Sequence, residues 1–422
     1  MADVNHAHTR PVAVLMVAIG GYGYHYLNVL LDEVPAGLAH LAGVVDPFAQ
    51  SSPAWPRVAA SRVPVADTVG AFFEDGHHAD LTVVASPIHF HAPQSVTALA
   101  HGSHVLCDKP LAAIVADVEA LVQARDRAGR FVMVGYQWSF STAIQALKRD
   151  LLEGRYGRPL RLATLCAWPR DMAYYQRNTW AGRLRDSDSG AWVLDSPANN
   201  AMAHFLHNAF FLLGPEMHLS AMPVSVTAEL ARAYPIESAD TAACRAVTDG
   251  GCEVLFLASH VTEHAIEPRF RIECEEAVVT FGESTRRIQA SNAAGQVADY
   301  GDPDDTHQFH KLFVAIDRVR EPGHLICGAE AAAAQTLCVG AMHESAPDIV
   351  PFPPALRRGA AASLVAVAGL GDGLLRCYES WALPSEIGCD WASPGRTVQT
   401  TRPSFLAGRH PAGSTPEGAV SG

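Results

Sequence analysis

The chain has 422 residues, 49% of them hydrophobic and 18% charged, with a formal net charge of −13. That length exceeds what one hydrophobic core usually fills, so two domains are expected, and the acidic balance argues against a nucleic acid or an anionic membrane as partner. The nine cysteines form no C-x-x-C pair, the N-terminus lacks the apolar core of a signal peptide, and no apolar run is long enough to span a membrane, so a cytoplasmic chain with free thiols is expected.

Residues 1–10 read as a loose end. From there to residue 139, short apolar strands alternate with helical patterns. The strands are "VAVLMV", "LAGVVD", "ADLTVVASP", "HVLCDKP" and "RFVMVGY"; the helices are Tyr24–Leu31, His91–His101 and Val115–Ala128. Strands of continuous Val/Leu character separated by helices imply a parallel sheet covered on both faces, which is a doubly wound, Rossmann-type α/β domain over residues 11–139. Beyond Trp138 the texture changes. A helix at Ala143–Leu152 and a strand at "RPLRLATLCAW" lead into a polar and aromatic loop that runs to Asp188. A helix over "NNAMAHFLHNAFFLLG" closes at Gly214, and runs of strand character follow: "PVSVTAELARAY", "DTAACRAVT", "CEVLFLASHV" and two within "RFRIECEEAVVTFG". Successive strands imply a second, α+β domain over residues 140–404, with an open and mostly antiparallel sheet. Helical patterns resume at Thr306–Val319, Ala329–His343 and around Ala360–Trp381, and the one near 329–345 is expected to pack back at the interface. Residues 405–422 read as a flexible tail.

The first strand runs into "AIGGYGYHYL", an imperfect G-x-G-x-x-G dinucleotide turn. Two registers compete. Starting at Gly21 puts Tyr26 where helix and strand must pack closely, and a phenol there would push the helix off the sheet. Starting at Ala18 leaves a strand of ordinary length, puts Gly20 where backbone approaches the pyrophosphate, and puts Gly23 at the close packing. The Ala18 register is chosen, with Gly21 and Tyr22 inside the turn and Tyr26 an ordinary helix side chain. The next strand ends at Asp46, 23 residues beyond Gly23, where a carboxylate accepts ribose hydroxyls and repels a 2′-phosphate. NAD is therefore expected over NADP.

Two further stretches resemble the Gfo/Idh/MocA oxidoreductases, the family of glucose–fructose oxidoreductase and inositol dehydrogenase. "ASPIHFHAPQSVTALAHGSHVLCDKPLA" matches the family's segments at Ser86, Pro87 and His91 and again at Gly102, His104, Val105, Leu106, Asp108, Lys109 and Pro110, with Asp108 in place of the usual Glu. "VGYQWSFSTAIQALKRDLLEGRYGRPLRL", containing Gln137, is similar to the interdomain segment, and "NNAMAHFLHNAFFLLG" to the D-x-x-x-H helix. The resemblance implies hydride transfer between a nicotinamide and a secondary alcohol of a sugar or cyclitol. It implies that Ser86, Pro87, His91, Asp108, Lys109 and Gln137 lie near the cofactor, that Lys109 and His204 serve the proton chemistry, and that Lys109–Pro110 is cis. Two departures stand out. The family's Asp is Asn200, one helical turn before His204, where it can orient a hydroxyl but cannot take a proton. The family's second acid is His207.

Trp138, Arg170, Tyr174, Trp180, Asp195, Asn199 and His207 are candidates for the substrate wall. Aromatic and guanidinium groups suit a sugar face, and the same loop equally suits packing over the domain seam. His204, His207 and Asp195 could be written as metal ligands; nothing else supports that, and no metal is expected. The function expected is an NAD(H)-dependent dehydrogenase of a small sugar-like substrate. Two alternatives are a glycosidase or lyase that recycles its NAD and a nucleotide-binding sensor without activity. By analogy with the family's sheet pairing, a homo-oligomer, dimer or tetramer, is expected.

Overall fold

The computed structural model describes residues 10–359 and 364–406, so the expected loose ends at 1–10 and 405–422 fall almost entirely outside the described residues. The first unit runs β1 (Val12–Val17), α1 (Gly21–Asp32), β2 (Ala39–Val45), α2 (Trp55–Ser61), β3 (Val65–Ala66), α3 (Val69–Glu74), β4 (Leu81–Val84), α4 (Ile88–Ala100), β5 (His104–Cys107), α5 (Val115–Ala128) and β6 (Val132–Val134). Its six strands are all parallel, in the order β3-β2-β1-β4-β5-β6. β1 and β4 are buried along their whole length, as strands covered on both faces must be. The pieces α2, β3 and α3 were not foreseen, being too short to show a period.

The second unit contains α6 (Thr142–Leu152), β7 (Pro159–Ala167), α7 (Met172–Gln176), α8 (Ala203–Leu212), β8 (Pro223–Arg232), β9 (Thr241–Thr248), β10 (Glu253–Ser259), β11 (Ile266–Cys274), β12 (Val278–Phe281), β13 (Ile288–Asn292) and β14 (Gly295–Gly301). Then come α9 (His310–Arg320), α10 (Ala329–Ser345), β15 (Val350–Pro351) and α11 (Leu370–Ser380). The sheet order is β14-β13-β12-β11-β7-β10-β9-β8-β15, and Val398–Gln399 also joins β8. Only β7–β10 and β8–β15 are parallel. β13 and β14 were missed because β14 is largely exposed and polar. The expected helix from Asn199 begins only at Ala203, and the residues before it form turns. Asn200 and His204 therefore do not share a helical face, contrary to the i, i+4 expectation. The helix expected around Ala360–Trp381 is α11; residues 360–363 lie outside the described residues.

Two returns of the chain tie the units together. α9 packs on β1, β4 and β5, and α10 touches α5 and β6 on one side and α8 and β8 on the other. Between them Cys327 accepts a hydrogen bond from Val134 N, and Gly328 makes an antiparallel bridge to Met133 at the β6 edge. One apolar core consequently runs from β1 through α8 and α10 to β12. A second core fills the other face of the second sheet: α11, Tyr378, Trp381 and Trp391 lie over small residues such as Ala163, Ala243 and Ala231. The chain covers this strip with its own C-terminal segment.

The glycine turn adopts the Ala18 register. A Cβ on Gly23 would meet the Ala18 carbonyl oxygen at 2.0 Å, so this position admits only glycine. Ala18 itself has φ 63°, the left-handed region that costs an L-residue roughly 1–2 kcal/mol. The motif's first glycine is thus replaced at a position whose backbone favours glycine. Ala18→Gly is expected to raise stability by about 0.5–1 kcal/mol, the relief of that strain less the added entropy of the unfolded chain, measured as the shift of the urea midpoint.

Candidate active site

The loops after β1, β2, β4, β5 and β6 open into one crevice at the C-terminal ends of the parallel strands, where a doubly wound sheet binds its ligand. Residues 174–180 and 200–204 of the second unit close the far side. The crevice has a volume of about 910 Å³.

At one end lies the turn. α1 begins behind Gly20 with no side-chain cap and no acidic residue in its first turn, so its N–H groups and positive dipole end are free for an anion. Added Cβ atoms on Gly20 and Gly21 would meet nothing within 4 Å, which leaves the backbone open to close approach. Asp46 lines the cavity beside this turn, where it accepts from Ile19 N at 3.0 Å and Phe48 N at 2.8 Å. Each of its oxygens keeps a lone pair for a ribose hydroxyl. An uncapped helix start, glycines with open space before them and a carboxylate at the second strand end together fit a dinucleotide. Phe48, 76% exposed at the cavity wall, was not foreseen as part of it.

At the other end Lys109, Asn200 and His204 meet. Lys109, next to a cis peptide bond with Pro110, donates from Nζ to the Asn200 carbonyl at 2.7 Å. Burial is the largest influence on this ammonium and lowers its pKa, with Lys311 and Arg177 adding to the effect and Asp108 and Asp195 opposing it. His204 lies edge-on to Tyr136, and its Nδ1 is buried without a partner among the described residues. Burial first, then the charges of Lys109 and Lys311, hold its pKa well below 6.5, so the ring is neutral and able to accept a proton. Asn200 Nδ2 donates to Asp195 Oδ1 at 2.7 Å, and Gly182 N donates to Oδ2 at 2.6 Å. Asp195 is 2% exposed, and burial pushes its carboxyl up.

His91 reaches the cavity wall from α4, but its ring is a fastener. Nδ1 is 2.6 Å from Pro110 O and Nε2 is 2.8 Å from Ser86 O. A neutral ring donates to only one of two carbonyls, and burial, the largest influence, lowers its pKa. It ties the turn at Lys109 to the loop after β4.

Of the residues expected at the site, Ala18, Gly20, Gly21, Tyr22, Asp46, Ser86, Pro87, His91, Asp108, Lys109, Gln137, Tyr174, Trp180, Asn200 and His204 line the cavity. Gly23 lies beneath the turn as its packing position. Six lie off the wall. His207 is stacked on Tyr136 at 3.8 Å and bonded to Ser139 Oγ at 2.9 Å, so it belongs to the core. Trp138 is buried and donates to Asp304. Asn199 is buried, spanning from Val193 O to the Gln335 amide. Arg170 stacks behind Tyr174, Asp195 stands behind Asn200, and Gly23 completes the six. Sequence reading missed Arg177, Asn178 and Gln308 on the wall, and it missed Lys311. The Lys311 ammonium is fully buried, 2.9 Å from Gly135 O and 3.4 Å from Asp108 Oδ1. No motif announced it, because its helix follows the second sheet.

Comparison with known proteins agrees with this geometry. Residues 12–136 match the model of the Gfo/Idh/MocA group, described as "Oxidoreductase family, NAD-binding Rossmann fold". Inositol 2-dehydrogenase of Streptomyces avermitilis is 33% identical over 152 residues, 35% of this chain and 43% of that one. A 1,5-anhydro-D-fructose reductase of Ensifer adhaerens is 33% identical over 27% of this chain and 33% of its own. The matched stretches span from 20% to 56% of the length of the curated relatives. The fold extends further: the WlbA dehydrogenase of Bordetella pertussis, solved with NADH and UDP-GlcNAcA, superposes with a TM-score of 0.67 at 22% identity, over 80% of this chain and 97% of that one. Residues 12–136 are thus similar to the NAD-binding Rossmann domain of the Gfo/Idh/MocA oxidoreductases.

Proposed function

We propose that the protein is an NAD(H)-dependent oxidoreductase acting on a secondary alcohol or ketone of a sugar-like or cyclitol substrate. The observation that carries this reading is the meeting of Lys109, His204 and Asn200 in the same cavity as the glycine turn and Asp46. The named relatives, an inositol dehydrogenase and an anhydrofructose reductase, support a polyhydroxylated ring as the substrate class.

Bound nicotinamide supplies a hydride acceptor or donor. The chain supplies the rest. His204, held neutral by burial and lining the cavity, takes the proton of the reacting hydroxyl in oxidation and returns it in reduction. Lys109, held at the Asn200 carbonyl, turns an N–H toward the substrate oxygen and polarises it. Asn200 has its amide nitrogen committed to Asp195, which leaves its amide oxygen to accept from a neighbouring hydroxyl and orient the ring. The nine free cysteines suit a reducing, cytoplasmic setting, and no helix among the described residues is long and apolar enough to cross a membrane. A homo-oligomer would assemble on surfaces other than the strip under α11.

Three outcomes are expected. Lys109→Met lowers kcat on an accepted sugar by about 10²–10⁴-fold with NADH affinity kept; unchanged kcat would sink the assignment. In the pH profile of kcat/KM for oxidation, His204 must be neutral, so activity rises with pH through a midpoint well below 6.5. Lys109 must be charged, so activity falls again at a midpoint below 10.5, and the alkaline limb moves in Lys109→Arg. Asp46→Ser, lacking the carboxylate that repels a 2′-phosphate, narrows the preference for NADH over NADPH by about tenfold or more, read from fluorescence titrations.

A further inference from the structure

The charges around the cavity are unevenly placed. Asp46 stands at the turn. Asp108 faces inward, engaged by the Tyr26 hydroxyl at 3.1 Å and by Lys311. Asp195 lies behind Asn200, with both oxygens accepting hydrogen bonds. Of the carboxylates near the end where Lys109, Asn200, His204, Tyr174 and Trp180 meet, Asp108 is already engaged and Asp195 lies behind Asn200, while Lys109 and Arg177 are the two cationic side chains on the wall there. Burial weakens the hold of Lys109 on its proton. A guanidinium keeps its charge at every working pH.

Arg177 is also held in place. Its guanidinium lies over the Tyr174 ring, 3.8 Å from the centroid, and 5.0 Å from the Trp180 centroid, and Nη1 donates to the Tyr174 carbonyl. Among the described residues it forms no ion pair, whereas Arg57, Arg125 and Arg245 each grip a carboxylate at 2.8 Å or less. A stacked guanidinium loses little freedom when its remaining N–H groups bind, and its planar edge matches a two-oxygen anion. In a chain of net charge −13, an anionic ligand needs such a local cation to enter.

We propose that the substrate carries an oxyanion, a carboxylate or phosphate on its sugar-like ring, and that Arg177 binds it. This rests on the oxidoreductase reading and names the substrate class within it. The anion also offsets the positive charge that Lys109 and oxidised nicotinamide place at the same end.

The test uses the full chain loaded with NADH. Glucose, glucuronate and glucose 6-phosphate are titrated into wild type, Arg177→Gln and Arg177→Lys, followed by calorimetry. At least one acidic sugar should bind about tenfold or more tightly than glucose. Arg177→Gln should bring that ratio near one, with glucose affinity little changed and the melting temperature kept. Arg177→Lys should keep part of the ratio, and the better of the two acidic sugars identifies the anion. Equal binding of the three sugars by wild type, binding of none, or a ratio that survives Arg177→Gln overturns the proposal while NADH binding stands. Failure to bind NADH overturns the oxidoreductase reading itself, and this inference with it.

Discussion

Asp108 directly follows β5, almost fully buried, and its contacts hold the site together. The Tyr26 hydroxyl donates to it from α1, and the Lys311 ammonium approaches from α9 with its side chain fully buried. Phe309, just before α9, stacks on Tyr22 of the glycine turn at 5.3 Å and meets Tyr26 edge-on at 4.9 Å. So one carboxylate joins the nucleotide turn, the strand that presents Lys109, and a helix that follows the whole second sheet. A buried pair of this kind adds little net stability when formed, yet removing one partner costs about 3–5 kcal/mol because it strands the other charge. Its contribution is registry: Lys109 can reach the Asn200 carbonyl only if the two units are held in one relative position.

This joint also sets what the sequence could show. The order of β1, β2, β4, β5 and β6, the turn register and Lys109 were legible because each is carried by contiguous residues with a period or a spacing. His204 and Asn200 were legible through a helix pattern, although α8 starts later than that pattern suggested. Tyr26 was read as an ordinary helix side chain and is instead fully buried across the turn. Lys311 and Arg177 had no local signal. An isolated lysine in an amphipathic helix reads as solvated, and an arginine in a polar loop reads the same way. Only the packing of α9 on β1, β4 and β5, and the closure of residues 174–180 over the crevice, give them meaning. His207 shows the converse, since a motif position pointed to the site and its ring packs flat on Tyr136 instead.

The C-terminal segment answers a different demand. The second face of the large sheet presents small residues, Ala163, Ala231, Ala243 and Ala167, which alone bury little apolar area. They let α11 come close, with Tyr378 and Trp381 filling the gap and Arg161 stacked over Trp381 at 4.2 Å. Arg245, on the same face, is clamped by Glu386 beyond the helix, and Glu229 by Ser385. The covering is thus specified both by apolar fit and by charged anchors on the strands.

The Asp195–Asn200 pair carries the last step. Asn200 shields the Asp195 carboxylate from the Lys109 end of the cavity, and burial already biases that carboxyl toward its neutral form. Asp108 already pulls the pKa of Lys109 upward, and an acid at position 200 would add to that pull. With the acid withdrawn behind an amide, Lys109 feels burial more than attraction, and its pKa comes down. The departure at position 200 therefore does not simply delete a proton acceptor. It sets the Asp195 carboxylate behind an amide and leaves His204, held neutral by burial, on the cavity wall.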